Sequence, residues 1–128
     1  MSGPQGWLAV LLGGAVGAPL RYLTDRAVQA RHDTVFPWGT LAVNVIGSLI
    51  LGALTGAALS GAVGTGVYLL LGTGFCGALT TYSTFSYETL RLAESGALLF
   101  AAANVVASIV AALGAVFAGL ALAQMIFA

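Results

Sequence analysis

The chain has 128 residues, 59% of them hydrophobic and 6% charged, with four Lys+Arg balancing four Asp+Glu. A water-soluble domain carries about 25% charged residues, so this composition excludes an ordinary globule in water and makes lipid the solvent. A net charge of zero without a basic patch also excludes a nucleic-acid binder.

Three stretches lack ionisable side chains other than Tyr and Cys: Met1 to Leu20, Thr34 to Tyr87 and Ser95 to Ala128. A bilayer span takes ~20 apolar residues, so they accommodate one, two and one helices. The expected class is an all-α membrane protein, one four-helix domain over residues 1–128 with helices at roughly 6–30, 39–59, 66–91 and 96–127. The first stretch lacks the positive start of a secretory signal and is followed by further spans, which makes it a retained helix. After it comes a polar loop with Arg26, Arg31, His32 and Asp33. Phe36 and Trp38 then fit an interfacial aromatic belt, with Pro37 in the first turn of the second helix.

Small residues recur at helical spacing as Gly13 and Gly17, as Ser48, Gly52 and Gly56, and as Ala103, Ala107, Ala111, Ala115, Gly119 and Ala123. Such stripes admit close helix packing, either among the four helices of one subunit or across a dimer interface. Four short helices barely enclose a polar pathway, which favours a dimer. Cys76 is the single cysteine, so no intramolecular disulfide forms, and no Cys/His metal spacing is present.

The second span carries Thr40, Asn44 and Ser48 at i, i+4 and i+8, stacked on one face. In the third span, Gly72, Gly74 and Gly77 precede a run from Thr80 to Tyr87 in which seven of eight residues bear hydroxyls. Hydroxyls that bond back to carbonyls, next to glycines, weaken a helix and predict a break near the membrane centre. Irregular backbone at that depth lines a watery cavity or lies inside protein, often with carbonyls on a cation; the plainer alternative is hydroxyl glue between helices. On the fourth span Asn104 and Ser108 repeat the i, i+4 pattern. Two amides on different helices, each costly in hydrocarbon unless bonded, outline a polar track.

No Asp, Glu, Lys or His is expected deep in a span, with Glu88 and Glu94 read as solvated at the exit of the third. A proton-coupled machine needs a titratable group there, so passive conduction fits better. Arg21 either draws anions into a vestibule or snorkels from a helix end. Phe85 presents an electropositive ring edge, which binds an anion weakly, as rapid conduction requires. No nucleophile–base pair or phosphate loop suggests an enzyme. These residues by themselves indicate a small dimeric channel with the ion undetermined.

Gly13, Gly14, Gly17, Arg21 and Tyr22 resemble the first-helix pattern of the bacterial fluoride channels, the Fluc or CrcB family. Gly39, Thr40, Leu41, Val43, Asn44 and Gly47 resemble its second-helix signature, and the run Gly74 to Ser86 with Glu88 its third. The resemblance implies a fluoride-selective passive channel in the cell membrane that exports fluoride. It implies an antiparallel dual-topology dimer with two pores, surrounded by membrane lipid. It also implies a structural Na⁺ at the dimer centre on the backbone carbonyls of Gly77 and Thr80. Asn44 would be the pore amide and Phe85 one aromatic edge. Tyr82 takes the other edge, where the family usually has Phe. Thr40, Ser83, Thr84 and Ser108 would extend the polar track, with Arg21 near the mouth. Arg21, Arg26, Arg31 and Arg91 all fall on one side of the expected topology, and by the positive-inside rule this predicts a biased orientation, which leaves open an antiparallel homodimer or a heterodimer with a homologue of opposite topology. The alternatives are a small multidrug-type exporter, which needs a carboxylate in the membrane, and a non-transporting membrane assembly subunit.

Overall fold

A computed structural model describes residues 3–31, 36–80 and 82–127. His32, Asp33 and Thr81 lie outside the described residues. Among those described the chain is entirely helical: α1 (Pro4–Ala30), α2 (Trp38–Leu59), α3 (Thr65–Tyr68), a π-helical stretch (Leu69–Cys76), α4 (Gly77–Leu79), α5 (Tyr82–Glu94) and α6 (Leu98–Phe127). Three of these, α1, α2 and α6, are long and apolar enough to cross a membrane. At 1.5 Å per residue the 30 residues of α6 reach ~45 Å, beyond the ~30 Å of hydrocarbon, so this helix tilts or enters the headgroups. The remaining span, residues 65–94, is assembled from shorter pieces.

The packing of α2 on α6 is the most extensive in the molecule. Its seam is made of absent side chains. A Cβ at Gly52 would strike the Val116 carbonyl, and one at Gly119 the Leu49 carbonyl and the Ala53 amide. Gly56 faces Ala123, itself 2% exposed. Much of the small-residue pattern therefore packs helices of one subunit, since dispersion between backbones replaces the hydrophobic effect that lipid does not supply. Ala103, on the same helix, is exposed.

Helix α1 meets the third span in the same way. Gly13 lies against the Leu70 carbonyl, Gly17 against the Phe75 carbonyl, and Gly74 against the Val10 carbonyl. The partner surface is the eight-residue π-helix, whose wider i→i+5 turns are rare and concentrate at functional sites.

The joints are equally specific. Pro37 precedes α2 without a side-chain acceptor for the first amides, and Gln29 of α1 supplies one: its Oε1 accepts from the Gly39 amide at 3.2 Å while its Nε2 donates to the Phe36 carbonyl at 3.3 Å. Phe36 is 7% exposed, which corrects its reading as an outward-facing belt residue, whereas Trp38 is 38% exposed. Helices α2 and α5 end alike. Gly61 and Gly96 adopt φ of 82° and 87°, and paired amide bonds run from Gly61 and Ala62 to Ala58 and Ala57, and from Gly96 and Ala97 to Ala93 and Leu92. This is the left-handed glycine cap that closes a helix.

Candidate functional site: a polar cavity beside the interrupted third span

The third span loses its helical path at Thr80. The Thr80 amide and hydroxyl both donate to the Cys76 carbonyl, at 3.0 and 2.9 Å, and the backbone then turns extended, with φ −79° and ψ 159°. Helix resumes at Tyr82. Gly47 on α2 makes room for this turn, because a Cβ there would overlap the Thr80 methyl.

Beside the interruption lies an open cavity of about 440 Å³ lined by Asn44, Thr80, Tyr82, Phe85, Ser108, Ile109, Ala112 and Leu113. Five residues singled out from the sequence, Asn44 on α2, Thr80 at the turn, Tyr82 and Phe85 on α5 and Ser108 on α6, thus line one cavity. The two rings stand 6.2 Å apart, inclined at 44°. Tyr82 is 81% exposed, so its ring borders the outer face of this subunit. The walls between the polar groups are apolar, which leaves an ion few strong partners.

The other candidates lie elsewhere. Thr84 lines a second cavity of about 460 Å³ with Pro37, Tyr87, Glu88, Arg91, Leu92 and Ser95. Ser83 is exposed and Arg21 half-buried. Thr40, 2% exposed, sits one turn before Asn44 and donates its hydroxyl to Glu88 Oε1. That bond corrects the reading of Glu88 as a solvated exit residue: it is half-buried and bonded across 48 positions of sequence. Gly77 lines a third cavity, of about 460 Å³, with Gly47, Ser48, Leu51, Tyr68, Gly72, Thr73 and Cys76, and Thr80 borders both this cavity and the first.

Ser108 also serves the interior. Its hydroxyl donates to Asn104 Oδ1 at 3.3 Å, and Asn104 Nδ2 donates to Thr89 Oγ1 at 2.8 Å. To donate into the cavity, Ser108 rotates away from Asn104. Every buried side-chain nitrogen and oxygen among the described residues has a partner, as a hydrocarbon surround demands. Glu88 and Thr89 are the participants the sequence reading did not assign. Glu88 stood within the quoted third-helix pattern, whereas Thr89 carries no motif of its own.

Residues 8–120 match the family described as CrcB-like protein, Camphor Resistance (CrcB). A protein of Streptomyces avermitilis named fluoride-specific ion channel FluC 1 is 66% identical, over 95% of this chain and 98% of its own length. One of Frankia casuarinae with the same name is 64% identical over 94% of this chain and 98% of its own. The similarity reaches an archaeal fluoride-specific ion channel FluC of Methanocaldococcus jannaschii, 47% identical over 94% of this chain and 95% of its own.

Proposed function

The chain belongs to the CrcB family, and on that premise we propose that it is a fluoride-selective passive channel that lets cytoplasmic fluoride leave the cell. It moves an ion down its gradient and performs no covalent chemistry. The observation that carries the reading is the shared cavity: an amide at Asn44, two aromatic rings at Tyr82 and Phe85, and a hydroxyl at Ser108, set in apolar walls. Amide and hydroxyl protons and ring edges each bind an anion weakly. Several weak contacts in series favour entry without trapping the ion. A full positive charge is not among the lining groups.

The working unit is an antiparallel, dual-topology dimer in the cell membrane, with the third span interrupted near the bilayer centre. Exposure of Tyr82 and the openness of the cavity support this, because a second subunit would close both. A structural Na⁺ at the dimer centre fits the donor set at Gly77 and Thr80. Both line one cavity, and where α4 ends the carbonyls of its last turn need partners from outside the helix. Hard oxygen ligands suit such a cation; when bound it would tie the two interrupted spans together. The one-sided arginines favour a heterodimer with a homologue of opposite orientation, and the numbering of relatives as FluC 1 and FluC 2 agrees with paired genes. A cysteine introduced at the N-terminus should therefore label from one face of intact cells; equal labelling from both faces would return the homodimer.

The test of function is fluoride efflux from liposomes containing the purified chain, followed with a fluoride electrode after valinomycin releases the counter-charge, with chloride as control. Rapid valinomycin-dependent release of fluoride without chloride is expected. Release driven by a proton gradient instead would favour the exporter alternative, and no release, alone or with a co-expressed homologue, the assembly-subunit alternative.

A further inference from the structure

Helix α5 carries both aromatic rings of the cavity, yet it is weakly tethered. It begins at Tyr82, two positions after the extended residue Thr80, and it packs mainly on α6, with slight contact to α2. Its rotation about its own axis decides where Tyr82 and Phe85 point. Beside the Thr40–Glu88 bond to α2, a polar connection among the described residues of the α5–α6 face holds that rotation. Asn104 on α6, 1% exposed, donates Nδ2 to Thr89 Oγ1 at 2.8 Å, and the same Thr89 hydroxyl donates to the Phe85 carbonyl at 2.8 Å. Ser108, which lines the cavity, donates to the other end of the amide at 3.3 Å. A threonine hydroxyl has one proton and two lone pairs, and an amide has a distinct donor and acceptor end, so the chain Ser108 to Asn104 to Thr89 to Phe85 has one consistent direction.

We infer that Asn104 and Thr89 are positioning residues of the conduction pathway: through a buried hydrogen-bond relay they hold the Phe85 end of α5 in register with Ser108 of α6. Asn104 is not among the residues lining the cavity, so it acts on the ion only through Phe85 and Ser108. The inference rests on the channel reading above.

The experiment compares Thr89→Val, which keeps the shape and loses the hydroxyl, with Thr89→Ser, Asn104→Leu and the Thr89→Val/Asn104→Leu double variant, all as purified full chains in liposomes. Thr89→Val should lower fluoride efflux roughly fivefold or more, the scale of one buried hydrogen bond, and Thr89→Ser should recover most of it. The double variant should fall no further than the worse single one, since both break the same relay. A second readout needs no flux: with 4-fluorophenylalanine at the six Phe positions, the Phe85 ¹⁹F resonance, assigned by its loss in Phe85→Leu, should shift or broaden in Thr89→Val and return in Thr89→Ser. An unmoved Phe85 resonance in Thr89→Val overturns the relay, as do additive losses in the double variant. Absence of fluoride flux in the parent chain, both alone and with a co-expressed homologue, would instead strike the channel reading, while the resonance still judges the relay.

Discussion

The α2–α6 seam and the third span lie side by side and are held by opposite means. In the seam, backbones touch because side chains are missing at Gly52, Gly56 and Gly119, and both helices run unbroken for 22 and 30 residues. In the third span the backbone changes form twice before the extended turn at Thr80, and the segment beyond it is held to its neighbour by hydroxyls and an amide. Close apolar packing gives a rigid wall; an interrupted, hydrogen-bonded span gives directed polar groups on that wall. A channel needs both.

The largest effect is expected where the seam is overfilled. Gly119→Leu drives a side chain into the Leu49 carbonyl and the Ala53 amide, neither of which yields locally. Overpacking costs about 1–3 kcal/mol or more, and in size-exclusion chromatography the variant should lose its monodisperse peak. Ala103→Leu adds the same bulk to an exposed position of the same helix and should elute like the parent. Equal tolerance of both would mean that the seam is not what holds the subunit.

Asn44→Ala tests the site rather than the wall. The helix keeps its packing, because Val43 and Gly47 carry the buried face of α2, but the cavity loses its amide. Fluoride efflux should drop tenfold or more, about 1.4 kcal/mol in barrier height, with an unchanged elution profile. Robust efflux from this variant would remove Asn44 from the pathway.

How much of this was legible beforehand follows from the range of each interaction. Hydropathy is local, so the apolar spans stood out in composition, and the i, i+4 pairs Thr40/Asn44 and Asn104/Ser108 declared their shared faces. The weakness of the helix at Thr80 was visible as glycines followed by hydroxyls. Its π-helical approach was not, and neither was the close contact it makes with Gly13 and Gly17 of a different helix. Phe36 looked interfacial because nothing local announces that Gln29 clamps its carbonyl. Glu88 looked solvated for the same reason: its partner Thr40 lies on another helix.

That pair yields the next prediction. Thr40→Val leaves a half-buried carboxylate without its hydroxyl donor, a loss of about 1–3 kcal/mol. The thermal midpoint of the detergent-solubilised protein should fall, and Thr40→Ser should restore it. If Thr40→Val melts with the parent, Glu88 is hydrated in spite of its position and the original reading of it stands.

The smallest effect is expected at Tyr82. The resemblance puts Phe there, and the tyrosine ring lines the cavity 6.2 Å from Phe85. Its hydroxyl is the one difference. At 81% exposure that group lies on the face a second subunit would cover, so it acts on the ion only if it turns inward. Tyr82→Phe should therefore keep fluoride efflux within about twofold of the parent, under 0.5 kcal/mol by the same conversion. A loss as deep as that of Asn44→Ala would show that the hydroxyl itself coordinates the ion. The third span would then contribute a donor of its own to the pathway, and the division between a packed wall and a merely shaping aromatic segment would have to be redrawn.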